Sequence, residues 1–204
     1  VIDRAVSAIR SGKVVIMPTD TVYGLACSPY TPDPVERLSK LKQRPPDQPI
    51  SLVANDIDML FECVPELRGR SGTIITALLP GPYTLVLPNP AKRYRWLTGL
   101  RPDTIGVRVP ELEGYGRQVL ERVGAVAATS ANLHGAPEPR TVSDIPQELI
   151  DGIAELVDAG PLPGPASTVI DFTGPTPQVL REGAGEVERA LAASADAASS
   201  IHGV

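Results

Sequence analysis

Cysteine and histidine are scarce in this 204-residue chain, and long apolar runs and an excess of basic charge are missing. The two cysteines, Cys27 and Cys63, cannot form a disulfide framework or a four-ligand zinc site. The two histidines, His134 and His202, exclude a multi-histidine metal centre. Apolar runs stay as short as Val14-Val15-Ile16-Met17, far from the ~20 residues of a membrane span. The opening Val-Ile-Asp-Arg lacks the basic start and apolar centre of a secretory signal, so a cytoplasmic protein is expected. It also lacks Met, so the natural chain is expected to begin upstream. With 19 Lys and Arg against 24 Asp and Glu, the net charge is −5. That excludes the overall basic footprint of a general nucleic-acid binder but leaves room for a local basic pocket. The serine-hydrolase elbow, the zinc-protease helix, the EF-hand loop, the phosphate-binding P-loop and the dinucleotide glycine fingerprint are absent.

Proline is abundant, at 22 residues, about twice the usual ~5%. Proline and glycine together make 40 of 204 residues, below the ~25–30% of disordered chains, so the prolines punctuate a folded one. The length suits one domain over residues 1–193, with an Ala/Ser-rich frayed tail over 194–204. Ile2, Ala5, Val6 and Ile9 repeat as one helix face, stopped at Gly12. Lys13–Met17 reads as a buried strand ended by Pro18, and residues 19–32 as a loop. Asp33 as N-cap, Pro34 and Glu36 start the next helix, whose exposed C-terminal end carries Lys40, Lys42 and Arg44 before Pro45-Pro46.

Further strands are expected over 50–54, 83–87, 104–109, 125–128, 155–157, 168–172 and 178–180. Helices are expected over 56–64, 66–79, 114–123, 143–150 and 186–193. Interleaved helices and strands make an α/β domain. Connections near 168–180 are too short for parallel crossovers, so its single sheet is mixed.

Six polar clusters lie at strand or helix ends, where open α/β sheets bind ligands. They are Pro18–Leu25, Lys42-Gln43-Arg44, Arg108 within an apolar strand, Thr129–Asn132, Ala166–Val169 and Arg181-Glu182-Gly183. Each has a bland reading. Thr19 and Thr21 can satisfy turn amides, Asp20 can cap its own turn, and Lys42 and Arg44 can cap a helix dipole. Arg108 in so apolar a strand requires an anion. Its alternation opposite Val107 and Val109 turns it towards a groove if those valines pack under helices. Together the clusters hold cations, hydroxyls and an amide but no nucleophile–base pair, which suits anion binding rather than hydrolysis by an activated serine.

The order and spacing of these blocks resemble the YrdC/Sua5 family, the L-threonylcarbamoyladenylate synthases, over roughly residues 1–190. The matching pieces are P-T-D-T-V-Y-G-L at 18–25, K-Q-R at 42–44, P-G-P-Y-T at 80–84 and I-G-V-R-V-P at 105–110. S-A-N at 130–132, S-T-V-I-D at 167–171 and L-R-E-G at 180–183 complete the set. The chain departs from the family pattern with Gln43 for a frequent Gly, His134 for a usual Ser and Ser28 for a frequent acid.

The resemblance implies a YrdC/RibB-like α/β domain, a twisted mixed sheet flanked by helices with a positively charged groove. It implies that ATP, L-threonine and bicarbonate (or CO2) give threonylcarbamoyl-AMP and pyrophosphate, for N6-threonylcarbamoyl modification of adenosine 37 in tRNA. By resemblance, Lys42 and Arg44 hold the triphosphate as the catalytic pair. Thr104, Asn132, Arg140 and Arg181 contact the nucleotide, and Thr21, Arg108, Ser130 and Ser167 hold the threonine. Mg2+ enters with ATP, with no protein metal site and no organic cofactor. The chain resembles the short form, without the extra C-terminal domain, which implies protein partners of the threonylcarbamoyl-transfer machinery and at most weak tRNA contact.

A double-stranded RNA-binding module of the same fold is the main alternative, distinguished by steep salt dependence and no need for threonine. A hydrogenase-maturation carbamoyltransferase would need paired C-x-x-C motifs, and a paralogue of other substrate would tend to lose K-x-R or S-x-N. His134 reads as a surface residue and Cys27 as a buried apolar one. The loop of Arg93, Arg95, Trp96 and Arg101 reads as solvated, with an approach to triphosphate or tRNA as the alternative.

Overall fold

The computed structural model describes residues 1–45 and 47–199. In chain order the elements are α1 (Ile2–Arg10), β1 (Val15–Pro18), β2 (Tyr23–Cys27), α2 (Pro32–Leu41), β3 (Ser51–Ala54), α3 (Ile57–Cys63), α4 (Arg70–Leu78) and β4 (Tyr83–Pro88). They continue with β5 (Thr104–Arg108), α5 (Gly114–Val123), β6 (Ala125–Ser130), α6 (Gln147–Asp151), β7 (Glu155–Leu156), β8 (Thr168–Asp171), β9 (Gln178–Arg181) and α7 (Val187–Ser199). The strands form one mixed sheet in the order β7-β1-β2-β6-β3-β5-β4-β8-β9. The β1–β7, β3–β5 and β4–β8 pairs are parallel and the remaining neighbours antiparallel. The short return from β8 to β9 is antiparallel, as the connection length requires.

Strand alternation divides the side chains between two faces. Ile16, Leu25, Cys27, Leu52, Leu85, Leu87, Ile105, Val107 and Ile170 join the larger core with residues of α2, α3, α4 and α7. Val15, Met17, Ala26, Val53 and Val126 point the other way, into a smaller core with Ala5, Val6 and Ile9 of α1 and Val119 and Leu120 of α5. The smaller core takes nothing from β4, β5 or β8. On that half of the second face, Thr84, Val86, Thr104, Gly106 and Arg108 line an open cavity instead.

Several elements differ from the sequence expectation. The stretch 19–32 contains β2, a fully buried interior strand, third of nine in the sheet order. Its Tyr-Gly-Leu-Ala-Cys carries no polar alternation because both faces are covered. Helix α2 starts two residues early, with Thr31 at the N-cap and Pro32 at N1, where its fixed φ already suits a helix. It ends at Leu41, ahead of the proline pair, and Pro46 lies outside the described residues.

The helix expected over 66–79 is a 3-10 turn at Pro65–Leu67 followed by α4, separated by Gly69 at φ +87°. That over 143–150 is a 3-10 turn at Val142–Asp144 and the short α6, separated by Pro146. Strand β6 runs on to Ser130, so the S-A-N block begins inside it. Helix α7 continues to Ser199, with Ala193, Ser194 and Ala197 buried, where a frayed tail was expected from residue 194. Small residues let that helix lie close against its neighbours, a feature that low complexity conceals. Residues 200–204 lie outside the described residues. Among the described residues no helix is long and apolar enough to cross a membrane.

Gly183 ties the far edge of the sheet to the cavity. A Cβ there would stand 2.1 Å from the Ala166 carbonyl oxygen and 2.7 Å from the Ser167 carbonyl carbon. Both obstacles are backbone, so neither can swing aside. We expect Gly183→Ala to lower stability by about 1–3 kcal/mol, the usual range for overpacking. It should appear as a lower urea midpoint at unchanged slope.

Candidate functional site

The uncovered half of the sheet forms the floor of a cavity of about 590 Å³. Its lining includes Thr19 and Thr21 from the β1–β2 turn, Arg44 beyond α2, Ser51 of β3, Thr84 of β4 and Thr104 and Arg108 of β5. Ser130 of β6, Ser167 before β8 and Arg181 of β9 close the ring. Leu100 and Leu180, both largely exposed, and Arg101 stand at the same opening. Four arginines, Arg44, Arg101, Arg108 and Arg181, thus share a concavity with a single lining acid, Asp47, among the described residues.

Seven of the ten residues singled out from the sequence line this cavity: Thr21, Arg44, Thr104, Arg108, Ser130, Ser167 and Arg181. Lys42, Asn132 and Arg140 do not. Lys42 is buried, with 2% of its surface exposed, instead of ending an exposed helix. Its Nζ donates to the Ser130 carbonyl at 2.6 Å, to Asn132 Oδ1 at 2.7 Å and to the Asn132 carbonyl at 3.0 Å. The Lys-x-Arg and Ser-x-Asn segments, about ninety residues apart, therefore meet directly. Between the two cations Gln43 takes φ +52°, the left-handed conformation that favours glycine, and this step separates a buried Lys42 from an outward Arg44.

Burial, with repulsion from Arg44 and Arg181, brings the Lys42 ammonium down to about 8, while Glu138 opposes the shift. It remains charged at neutral pH, with acceptors for all three protons. Ser130 Oγ in turn donates to Asn132 Oδ1 at 2.6 Å, and Asn132 Nδ2 to the Ala136 carbonyl. Arg140 is turned away, its Nε donating to the Leu162 carbonyl at 3.1 Å.

Arg108 obtains the anion its burial requires from within the chain. Its Nη2 donates to Asp20 Oδ1 at 2.7 Å, with the two side chains only 12% and 8% exposed. Asp20 Oδ2 accepts from the Glu111 backbone N–H at 3.3 Å, so this acid does not serve merely to cap its own turn. Burial pulls the Arg108 pKa down and Asp20 pushes it back. Arg108 Nε is left buried without a partner. Arg108 thus lines the cavity with a guanidinium fixed in place by Asp20.

Thr19 Oγ1 accepts from the Thr21 and Val22 amides at 3.2 Å, holding the turn, and lies 3.0 Å from Thr21 Oγ1. Tyr23 of the same motif faces the larger core, its phenol bonding Asp158 Oδ1 at 3.0 Å and the Gly160 carbonyl at 2.7 Å. Ser167 Oγ lies 2.8 Å from Thr84 Oγ1 and accepts from Arg181 Nη2 at 3.2 Å.

Sequence reasoning missed Thr84, Ser51 and Thr98 as lining residues; period-two alternation on β3 and β4 was the available signal for the first two. Arg101, expected in a solvated loop, instead lines the cavity, bonding Asp171 Oδ2 at 2.9 Å and Thr173 Oγ1 at 3.0 Å. Two further side chains of that loop are pinned, Arg93 by Glu66 and Trp96 Nε1 by the Pro29 carbonyl. His134 is exposed outside the cavity lining. Cys27 is fully buried, its thiol pushed up to about 12. Among the described residues no His, Cys, Asp and Glu cluster could hold a metal ion.

A site of fixed cations and hydroxyls with no nucleophile–base pair defines an anion-binding pocket for small polar substrates. Comparison with known proteins gives its lineage. A family model named Sua5_yciO_yrdC, described as telomere recombination, matches residues 7–183. The chain belongs to the YrdC/Sua5 family. A threonylcarbamoyl-AMP synthase of Pseudomonas putida is 34% identical over 186 residues, 89% of this chain and 97% of the relative. The crystal structure of P. abyssi Sua5 complexed with L-threonine matches with a TM-score of 0.84 at 33% identity. That match covers 94% of this chain and 56% of the other, so the chain spans little more than half of that protein. The crystal structure of E. coli YciO matches with a TM-score of 0.82 at 29% identity, over 93% of this chain and 92% of that one.

The buried pairs should dominate the stability of the site. Lys42→Met strands the Asn132 and Ser130 acceptors and should cost about 1–3 kcal/mol. Asp20→Ala leaves the Arg108 guanidinium uncompensated and should cost about 3–5 kcal/mol. Urea unfolding of both variants measures the two losses; wild-type midpoints would contradict these partnerships.

Proposed function

We propose that this chain synthesises threonylcarbamoyl-AMP from L-threonine, bicarbonate (or CO2) and ATP, releasing pyrophosphate, as a cytoplasmic step towards N6-threonylcarbamoyladenosine in tRNA. The observation that carries the reading is the single cavity in which four arginines meet a ring of hydroxyls. Its volume falls within the ~300–1,000 Å³ of small-molecule sites. Relatives named for this activity, and one recorded with L-threonine bound, support it. A concavity of this size favours small substrates over an RNA duplex.

The chemistry suits these residues. The threonine amine attacks CO2 to form a C–N bond, its proton passing to solvent, and gives a carbamate. A carbamate oxygen then bonds to the α-phosphorus of ATP as the bond to the β-phosphate oxygen breaks, and pyrophosphate leaves with the Mg2+ it brought in. The protein's share is positioning and charge neutralisation. Arg108 takes the threonine carboxylate, and the hydroxyls of Thr21, Ser130 and Ser167 take the remaining polar groups. Arg44 and Arg181 hold the triphosphate, with Lys42 adding charge from behind while it orients Ser130 and Asn132. Thr104 and Asn132 belong to the nucleotide side, and Arg140 reaches it only by leaving the Leu162 carbonyl. Transfer of the threonylcarbamoyl group to tRNA falls to protein partners.

Incubation with MgATP, L-threonine and bicarbonate should yield threonylcarbamoyl-AMP by mass analysis, and its absence would overturn the reading. Arg44→Ala should weaken ATP use by the ~1.5–3 kcal/mol of a charge-assisted contact. L-Valine should be rejected strongly, because buried hydroxyls would be left unpaired. Arg108→Lys should raise the KM for threonine sharply and barely change ATP affinity, since an ammonium cannot reproduce a planar two-point contact.

The pH dependence follows from Lys42. Its pKa lies below the ordinary lysine value, at about 8, so the charge is present below that pH and lost as pH rises through it. ATP affinity, measured by calorimetry at constant ionic strength, should fall through about pH 8, and Lys42→Met should remove that limb.

A further inference from the structure

Three arginines of the cavity are already paired with carboxylates in the empty site, Arg101 with Asp171, Arg108 with Asp20 and Arg181 with Glu138, and the last two pairs are opposite in kind. The Asp20–Arg108 pair is buried and fixed. The last pair lies at the rim, where Arg181 Nη1 donates to Glu138 Oε1 at 3.0 Å, with the side chains 44% and 30% exposed. The other Arg181 donors are held on the sheet. Nε and Nη2 bond the Ser167 carbonyl at 3.1 and 2.8 Å, and Nη2 also reaches Ser167 Oγ at 3.2 Å. The guanidinium is thus fixed in plane and offers one corner outwards, and Glu138 occupies that corner.

Glu138 itself is held in place from both sides. The Asn132 amide bonds the Ala136 carbonyl before it, and the Tyr23 backbone N–H donates to the Pro139 carbonyl at 2.9 Å after it. Its charge also acts on Lys42. A carboxylate among these cations opposes the entry of any polyanion unless it moves. An exposed pair is worth only ~0–1 kcal/mol, so an incoming phosphate, with more charge and three acceptor oxygens, displaces it at small cost.

We propose that Glu138 is a displaceable placeholder for a nucleotide phosphate. It keeps the Arg181 guanidinium in binding geometry while the site is empty, yields when the triphosphate arrives, and returns as pyrophosphate leaves. The inference rests on the synthase reading above and adds to it a positioning residue outside the lining of the cavity. Its consequence is that nucleotide and pyrophosphate bind less tightly than the cations alone would allow, and that product leaves faster.

Glu138→Gln keeps the size and an acceptor oxygen while removing the charge. Calorimetry at fixed ionic strength should show ATP and pyrophosphate binding about two- to five-fold tighter, the range for an exposed charge pair. Threonine affinity and the thermal midpoint should stay at wild-type values. In an Arg181→Ala background the same substitution should no longer change ATP affinity. Unchanged or weaker ATP binding by Glu138→Gln, or equal tightening without Arg181, would overturn the placeholder role. If the wild-type protein binds ATP but Glu138→Gln binds it no tighter, this inference alone falls. If the wild-type protein binds no ATP, the synthase reading falls and takes this one with it.

Discussion

Everything at the site depends on the period-two alternation of side chains across a sheet that helices cover unevenly. One face is buried along most of its width, and Leu52, Leu85, Leu87, Ile105 and Val107 pack there. The other face is covered by α1 and α5 only over β1, β2, β6 and part of β3. Residues that point the same way on β4 and β5 meet open space. Thr84, Thr104, Gly106 and Arg108 are what the alternation delivers there. A register slip of one residue on β5 would send Arg108 into the larger core and Val107 into the cavity. Burial of the valines therefore fixes the direction of the arginine.

A concavity that gathers four guanidinium groups must remain folded when it is empty. The chain supplies internal anions and acceptors at graded strength. Asp20 neutralises Arg108 out of solvent, where a lone charge would be costly. Lys42 is satisfied by carbonyl and amide oxygens of Ser130 and Asn132, so its charge is retained behind the wall of the cavity. Arg101 leans on Asp171 and Arg181 on Glu138, both nearer solvent. The deeper the cation, the more rigid its partner. This gradient leaves the rim adaptable and the floor preorganised, the division of labour expected where positioning rather than proton transfer drives the chemistry.

Much of this was legible in the residues. The apolar stretches around Ile16, Leu52, Leu85 and Val107 announced strands, and the short link between residues 171 and 178 announced a mixed sheet. The polar blocks at their ends pointed to anion binding, and an arginine inside an apolar strand required a carboxylate. Less legible was β2, because a strand covered on both faces shows no alternation. The burial of Lys42 was hidden too. A cation beyond a helix end looks solvated until the partner segment, about ninety residues on, is brought beside it. Arg101 looked like part of a solvated loop, because only the placement of Asp171 on the neighbouring β8 turns it towards the site.

The sequence by itself determined the inventory: most of the strands and helices, the lack of a nucleophile–base pair among the polar clusters, and the cations and hydroxyls available for binding. These follow from local preference and side-chain chemistry, which a linear reading captures. Only the tertiary structure decided the partners. Asp20 found Arg108 across 88 residues, and Lys42 found Asn132 across 90. Gly183 came within contact of the Ala166 carbonyl, where any side chain would collide. Such pairings depend on strand order and on which half of a sheet face is left uncovered. Those are properties of packing in three dimensions, with no counterpart in the spacing of residues along the chain.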